Sequence, residues 1–280
     1  MNELSHDRNE QDAASAFSRQ APLFDQYDAG NTIIQYKRRR VRDCVMQCLA
    51  PGSTILELNA GTGQDSIWLA GKGHKVHATD IAPGMLAELE KKVNALGLAA
   101  QVTWEPCSFT QLAGLRSKGP YDLIFSNFAG LNCTGKLDEV LNSFSGLLKP
   151  GGHVLLVVLP SFCLWESLLL FRGKFRTAFR RLFAKKGARS RVEGVYFKCW
   201  YYPPSYITRV LARSFTLKGL EGLCSIVPPS YIEQFAERHP KLYHWLVKKE
   251  DRWKSSRPWR SIGDYYIITL QKTEDHSAAK

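Results

Sequence analysis

Residues 55–70 read ILELNAGTGQDSIWLA: a short apolar strand that ends in Glu57, a turn of small residues from Asn59 to Gly63, and a helix that starts near Gln64. Small side chains in the turn let a ligand approach the backbone closely, and the free N–H groups of the helix start favour negative charge. The next β-rich run ends at Asp80, where a carboxylate can accept two hydrogen bonds from a ribose diol. The two halves predict one nucleoside site.

Working outward, short β-rich runs alternate with helical stretches: TILEL, KVHAT, QVTW, YDLIFS and HVLLVVL, spaced by about one helical crossover each. The near-continuous apolar character of Leu123–Phe125 and Val154–Leu159 fits strands covered on both faces. The expected fold is α/β, a doubly wound, mainly parallel, seven-stranded Rossmann-like sheet. Ala13 to Tyr27 and Ile33 to Leu49 read as helices ahead of it, and Lys136 to Leu148 as an amphipathic helix that stops at Pro150-Gly151-Gly152. Behind the fifth strand, Phe162 to Phe183 reads as an insertion and Glu193 to Tyr202 as an aromatic, extended piece. Pro229 to Trp253 reads as helix and Asp264 to Leu270 as the closing strand. This divides the chain into an N-terminal helical cap (1–50), a nucleoside-binding core (51–160), an acceptor-binding lid after the fifth strand (161–212) and a segment that completes the sheet (213–280).

The loop also says which nucleoside. A dinucleotide fingerprint requires G-x-G-x-x-G, and Ser66 stands where the third glycine belongs. A carboxylate at Glu57 would repel a pyrophosphate and suits a ligand that carries an ammonium and a sulfonium. S-adenosylmethionine has that charge pattern, whereas NAD and FAD do not.

Four segments in order, Glu57-Leu-Asn-Ala-Gly-Thr-Gly63, Ala78-Thr-Asp-Ile-Ala-Pro-Gly-Met-Leu86, Tyr121-Asp-Leu-Ile-Phe-Ser-Asn127 and Leu148-Lys-Pro-Gly-Gly152, resemble the successive signatures of class I S-adenosylmethionine-dependent methyltransferases that act on small molecules. Phe24-Asp-Gln-Tyr27 is similar to the N-terminal helix of quinone- and biotin-pathway methyltransferases. The resemblance covers Thr54 to Leu159 and implies that Gly61 and Gly63 border the cofactor's methionine part, with Tyr27, Glu57, Asn59 and Ala60 in the same site. Asp80 would hold the ribose, Ile81 and Met85 would flank the adenine, and Asn127 and Phe128 would face the methyl-transfer point. Ser108 and Phe109 fall where the family often places an Asp and an apolar residue beside the adenine amino group. Ser108 departs from that pattern, so adenine recognition there is expected to rest on backbone or water. Asn59 replaces the usual first glycine, and Asn tolerates positive φ better than most residues.

The acceptor is less constrained. The loop Ser126-Asn-Phe-Ala-Gly-Leu-Asn-Cys133 lacks the N-P-P-Y pattern of many amine methyltransferases, which disfavours nucleobases and glutamine amides. Asn132 and Cys133 are expected to contact the acceptor, with Phe175, Phe179, Trp200 and Tyr201 from the lid. Phe171, Phe175, Phe179 and Phe183 recur every four residues and predict an amphipathic helix. The reading is methyl transfer from S-adenosylmethionine, leaving S-adenosylhomocysteine, to a small, largely apolar metabolite, with an oxygen acceptor ahead of carbon. An RNA methyltransferase and a non-catalytic S-adenosylmethionine-binding regulator are the alternatives.

Length and composition fit this reading. The chain has 280 residues, 44% hydrophobic and 23% charged, which excludes a disordered or collagen-like chain. Its net charge of +12 points to an anionic partner. Arg172 to Trp200 holds ten Lys or Arg and one Glu, concentration enough to suggest an anionic membrane surface or an acidic carrier protein, with nucleic acid less favoured. The seven Cys are odd in number and scattered through apolar runs, which suits buried thiols in a reducing, cytoplasmic setting; no secretory signal is read at Met1 to Asp12. Cys44 and Cys48 lie one helical turn apart with no partner pair at zinc-type spacing, so no metal is expected. None of the His residues falls in a cofactor motif, so no His is expected to act as a strong general base.

Overall fold

The computed structural model describes residues 3–173, 175, 179–232 and 234–273. Its strands are β1 (Thr54–Leu58), β2 (Lys75–Asp80), β3 (Val102–Pro106), β4 (Tyr121–Ser126), β5 (Leu148–Val158), β6 (Ala188–Val192), β7 (Val195–Cys199), β8 (Phe215–Leu223) and β9 (Tyr265–Lys272). Seven of them form one sheet in the order β3-β2-β1-β4-β5-β9-β8, and β9 runs antiparallel to both its neighbours. The predicted doubly wound α/β sheet is the fold observed. No helix among the described residues is long and apolar enough to cross a membrane.

Period-two alternation splits the strands between two apolar layers. Leu56, Leu58 and Ile124 pack with Val140, Leu141 and Phe144 of the helix α5 (Leu137–Leu147) on one face. Ile55, Leu123 and Phe125 pack with Ile33, Val41 and Val45 of α2 (Thr32–Met46) on the other. Each fully buried aliphatic side chain of this kind contributes roughly 1.5–3 kcal/mol over an exposed one. Strand order reverses between β1 and β4, so a crevice opens at their carboxyl ends, the usual place for a ligand in such sheets.

The helix α1 (Glu3–Ala29) starts well before the predicted Ala13 and crosses that crevice. It approaches α4 (Pro83–Ala95) so closely that a Cβ on Gly84 would lie 2.6 Å from the Ser18 carbonyl oxygen. Glycine at position 84 is what permits the contact. On the other side Ala13, Ala16 and Phe17 of α1 pack with Cys133 and with Phe197 of β7. The β6–β7 hairpin turns through Glu193 and Gly194, both at positive φ.

The segment expected to form a lid, 161–212, differs from expectation. Its helix ends early, running only from Leu164 to Leu168 with a short 3-10 turn to Arg172, and Gly173 at φ 70° terminates it. The periodic aromatic stripe is therefore not one continuous helix face. Lys174, Arg176 and the side chains of Phe171 and Arg172 lie outside the described residues. Phe175 is 61% exposed and Phe179 40%, so these rings face outward rather than into a pocket. Arg181, one of the ten cations of the basic run, is buried, because Glu166 and Asp264 take its guanidinium at 2.8 and 3.0 Å. Cys163, Glu166 and Asp264 have the atom spacing of a metal site, but Arg181 supplies the cation there.

Candidate active site

The crevice at the β1/β4 switch point, roofed by α1, encloses about 840 Å³ with its open mouth included. Its floor comes from the turn after β1. There Asn59 adopts φ 46°, Gly61 φ 57° and Gly63 φ 76°, which place the helix start behind the turn. A Cβ on Gly63 would lie 2.7 Å from the Leu89 side chain, so this glycine is required by packing. At Gly61 only the Met85 sulfur comes within 4 Å, at 3.9 Å, which leaves the backbone bare toward the cleft.

Asp80 closes the second wall. Its Oδ2 accepts from the Gly61 N–H at 2.9 Å and its Oδ1 from the Ala82 N–H at 2.8 Å. Burial nevertheless holds its carboxyl above the usual carboxylate range. Each oxygen keeps a lone pair for a further donor, the geometry a vicinal diol needs. Beside it Ile81, Met85 and Phe109 form an apolar slot of suitable chemistry for a flat heterocycle.

Behind the floor lies a lattice of buried charges. Arg38 pairs with Asp28 and, at 2.6 Å, with Asp65; Asp65 also takes Arg42 at 2.8 Å and the Asn127 amide at 2.8 Å. Asp28 is raised by burial against the pull of Arg38. Glu57, which accepts from the Ser66 hydroxyl, is pushed up to about 8 by burial and by the nearby Asp65. A carboxyl held near neutrality on the floor of a cleft is primed to ionise when a cation arrives.

The loop after β4 forms the third wall. Phe128 and Ala129 are both left-handed, at φ 45° and 64°, a strain of order 1–3 kcal/mol each that surrounding contacts must hold. Those contacts are visible. Asn127 Oδ1 accepts from the Phe128 N–H at 2.8 Å, and the Asn59 amide donates to the Asn127 carbonyl at 2.9 Å. A Cβ on Gly130 would lie 2.2 Å from Asn59 Cγ, and the Ser126 hydroxyl donates to Asn59 Oδ1 at 2.6 Å, so the loop meets Asn59 of the floor at residues 126, 127 and 130. Cys133 also lines the cleft, its thiol held well above its ordinary value by burial, hence protonated.

Of the residues expected at the cofactor, Glu57, Asn59, Ala60, Gly61, Asp80, Ile81, Met85, Phe109, Asn127 and Phe128 line this one cleft. Gly63 stands just behind it as the N-cap of α3 (Gln64–Ala70). Two do not reach it. Tyr27 is 54% exposed, and Phe24, one helical turn earlier, takes the place on the cleft face of α1. Ser108 is buried against Glu10, to which its hydroxyl donates at 2.7 Å. Of the expected acceptor residues only Cys133 lines the cleft. Asn132 is instead a structural clamp whose amide donates to the Trp200 and Leu159 carbonyls at 2.6 and 3.2 Å. Trp200 borders a separate groove on the hairpin, and Tyr201 lies under Arg181, 5.2 Å from the guanidinium. Phe175 and Phe179 are outside the cleft altogether.

Sequence reasoning missed Glu10, Ala13, Ala14 and Phe17 on the roof and Arg38 and Asp65 behind the floor. Alanines at 13 and 14 carry a signal in hindsight, since small residues on a helix face allow close approach to a ligand. Asp25 also joins roof to floor, taking the Thr62 hydroxyl at 2.5 Å, the Gln64 amide at 2.8 Å and Lys92 at 2.6 Å.

Comparison with known proteins agrees with this geometry. Residues 55–152, which carry the floor, the Asp80 wall and the β4 loop, match the methyltransferase domain family. Among solved structures, an S-adenosylmethionine dependent methyltransferase from Mesorhizobium loti superposes with a TM-score of 0.52 at 16% identity, covering 82% of this chain and 96% of that one. The 1,6-didemethyltoxoflavin-N1-methyltransferase of Burkholderia thailandensis, solved with 1,6-didemethyltoxoflavin and S-adenosylhomocysteine, gives 0.56 at 15% identity over 96% and 91%. The [4+2]-cyclase SpnF gives 0.60 at 16% identity over 95% and 96%. No curated protein matches by sequence.

Proposed function

We propose that this chain, a class I S-adenosylmethionine-dependent methyltransferase, methylates a small, largely apolar acceptor, with oxygen favoured over carbon as the atom modified. The observation that carries the acceptor class is the apolar share of the cleft lining. Ala13, Ala14 and Phe17 of α1, Phe128 of the strained β4 loop and the protonated Cys133 all line it. Such a wall is apolar and shaped for a compact ligand.

The residues present fit the cofactor: paired lone pairs on Asp80 for a diol, a bare backbone at Gly61, an apolar slot and a titratable Glu57. S-adenosylmethionine supplies an electrophilic methyl group on a sulfonium that departs as a neutral thioether. The protein's part is alignment and exclusion of water. Asp80 fixes the ribose, Glu57 in its ionised form offsets the cation, and the β4 loop presents Phe128 toward the transfer point. Among the described residues no histidine lines the cleft. A hydroxyl acceptor would then surrender its proton to water or to a carboxylate of the cleft as the methyl group moves.

The exposed cations Lys185, Lys186, Arg189 and Arg191 form the part of the basic run that can meet an anionic carrier or membrane. The test of the main reading is incubation of the protein with methyl-labelled S-adenosylmethionine and cell extract, with identification of the labelled product by mass. Label in a small apolar product is expected. Label confined to RNA, or bound cofactor with no transfer, would overturn the reading in favour of one of the two alternatives.

A further inference from the structure

Resting on the cofactor reading above, we propose that Glu10 of α1 is the residue that selects adenine, accepting a hydrogen bond from its exocyclic amino group at the edge of the slot where Ser108 offers no carboxylate. Glu10 lies on the cleft wall and is only 5% exposed. Its Oε2 is fully engaged, accepting from the Ser108 hydroxyl at 2.7 Å and the Thr110 hydroxyl at 3.0 Å. Its Oε1 is buried and has no hydrogen-bond partner among the described residues.

A buried carboxylate oxygen without a donor is costly, so this atom of a residue on the cleft wall calls for a donor from outside the chain. The position of the donor follows from the rest of the site. With the ribose on Asp80, the base extends toward Ile81, Met85 and Phe109, and the loop after β3 that carries Ser108 and Thr110 forms the rim of that slot. Adenine presents an N–H donor at its polar edge. A base with a carbonyl at the same position would set oxygen against oxygen.

Glu10 is held for this task from both sides. The Asn9 side-chain amide donates to the Cys133 and Lys198 carbonyls at 2.8 and 3.3 Å, and its oxygen takes the Lys198 N–H at 2.6 Å. Further along α1, the Ser18 hydroxyl accepts from the Gly84 N–H at 3.2 Å. The helix cannot slide along its axis without breaking these bonds, so Oε1 is preorganised rather than recruited. The roof helix thereby acts as part of the specificity device.

The experiment is calorimetric titration of the full chain with S-adenosylhomocysteine and with its deaminated analogue S-inosylhomocysteine. The wild type is expected to prefer the adenosyl compound by roughly 10- to 100-fold, the worth of one charge-assisted hydrogen bond and the repulsion avoided. Glu10→Ala should lose most of that preference, and Glu10→Gln, which keeps the shape and therefore the fold, should lose about tenfold of it. Moving the carboxylate in the double variant Glu10→Ala/Ser108→Asp should restore it. Equal binding of both compounds by the wild type, or an equal loss of affinity for both in Glu10→Gln, would overturn the assignment while leaving the cofactor reading intact. Failure of the wild type to bind S-adenosylhomocysteine would overturn both.

Discussion

Binding of S-adenosylmethionine should be coupled to a proton on Glu57. Burial and Asp65 push this carboxyl up to about 8, so at pH 7 about one-tenth of the free protein carries it ionised. If the cation binds only to the ionised form, apparent affinity scales with that fraction. The dissociation constant then falls roughly fivefold from pH 7 to pH 8 and less than twofold more above that. The cofactor's own ammonium, with a pKa of about 8, titrates in the same window with the opposite effect. Wild type must therefore be compared with Glu57→Gln, which keeps the bond from Ser66 and removes the charge; the ratio of the two constants cancels the ammonium. Titration calorimetry in two buffers of different ionisation enthalpy should show wild type releasing nearly one proton more than the variant at pH 7. Free protein gives an independent check of sign. Because the folded state holds this proton above the ordinary glutamate value of 4.5, its contribution to stability is fully present below that value and fades as pH climbs toward about 8. Glu57→Gln should thus gain stability relative to wild type between pH 6 and 8.5. Identical pH slopes and proton counts in the two proteins would refute the argument.

Asp80→Ala should weaken S-adenosylhomocysteine by about 1 to 3 kcal/mol, from two charge-assisted bonds to the ribose, and unchanged calorimetric affinity in a folded variant would contradict the ribose role. Arg38→Met leaves Asp28 and Asp65 buried without their shared cation; a loss of about 3–5 kcal/mol is expected, read as a drop in melting temperature of several degrees, and an unchanged melting temperature would contradict the charge lattice. Gly130→Ala drives a Cβ to 2.2 Å from Asn59 Cγ, so turnover should fall steeply while far-ultraviolet circular dichroism stays native; normal turnover would mean that the β4 loop need not keep its strained form. Reversal of Lys185, Lys186, Arg189 and Arg191 to Glu should weaken association with anionic vesicles by about 1 kcal/mol per charge, measured by co-sedimentation at low salt, with the fold intact. Arg181→Glu should instead unfold the lid base, since it sets a third carboxylate against Glu166 and Asp264.

The sheet was legible because its signal is local and redundant: strands covered on both faces are apolar throughout, and each is bounded by turn residues. β8 escaped because Gly219 and Gly222 interrupt its run. Gly222 is there for close approach, as a Cβ would lie 2.1 Å from the Trp259 carbonyl, a constraint set by a residue far along the chain. The aromatic stripe failed for a related reason. Four-residue periodicity says that rings would share a helix face, but not that a partner surface exists or that Gly173 will let the helix continue.

Charge was the least legible property, and the reason bears on function. Net charge counts residues, whereas a site is built from local balance. Arg181 left the basic run because Glu166 and Asp264 were waiting for it, and Arg38 left the surface of α2 because Asp28 and Asp65 required it. Glu10 is the converse case: in a polar N-terminal stretch it reads as solvated, yet the fold buries it against two hydroxyls nearly a hundred residues away. Glu57 keeps its proton for want of a cation, and Glu10 Oε1 has no hydrogen-bond partner among the described residues. Both face the same cleft, one at its floor and one at its roof. A molecule that brings a cation to the first and an N–H donor to the second, with a diol for Asp80 between them, satisfies all three at once, and an adenosyl sulfonium carries those groups in that order.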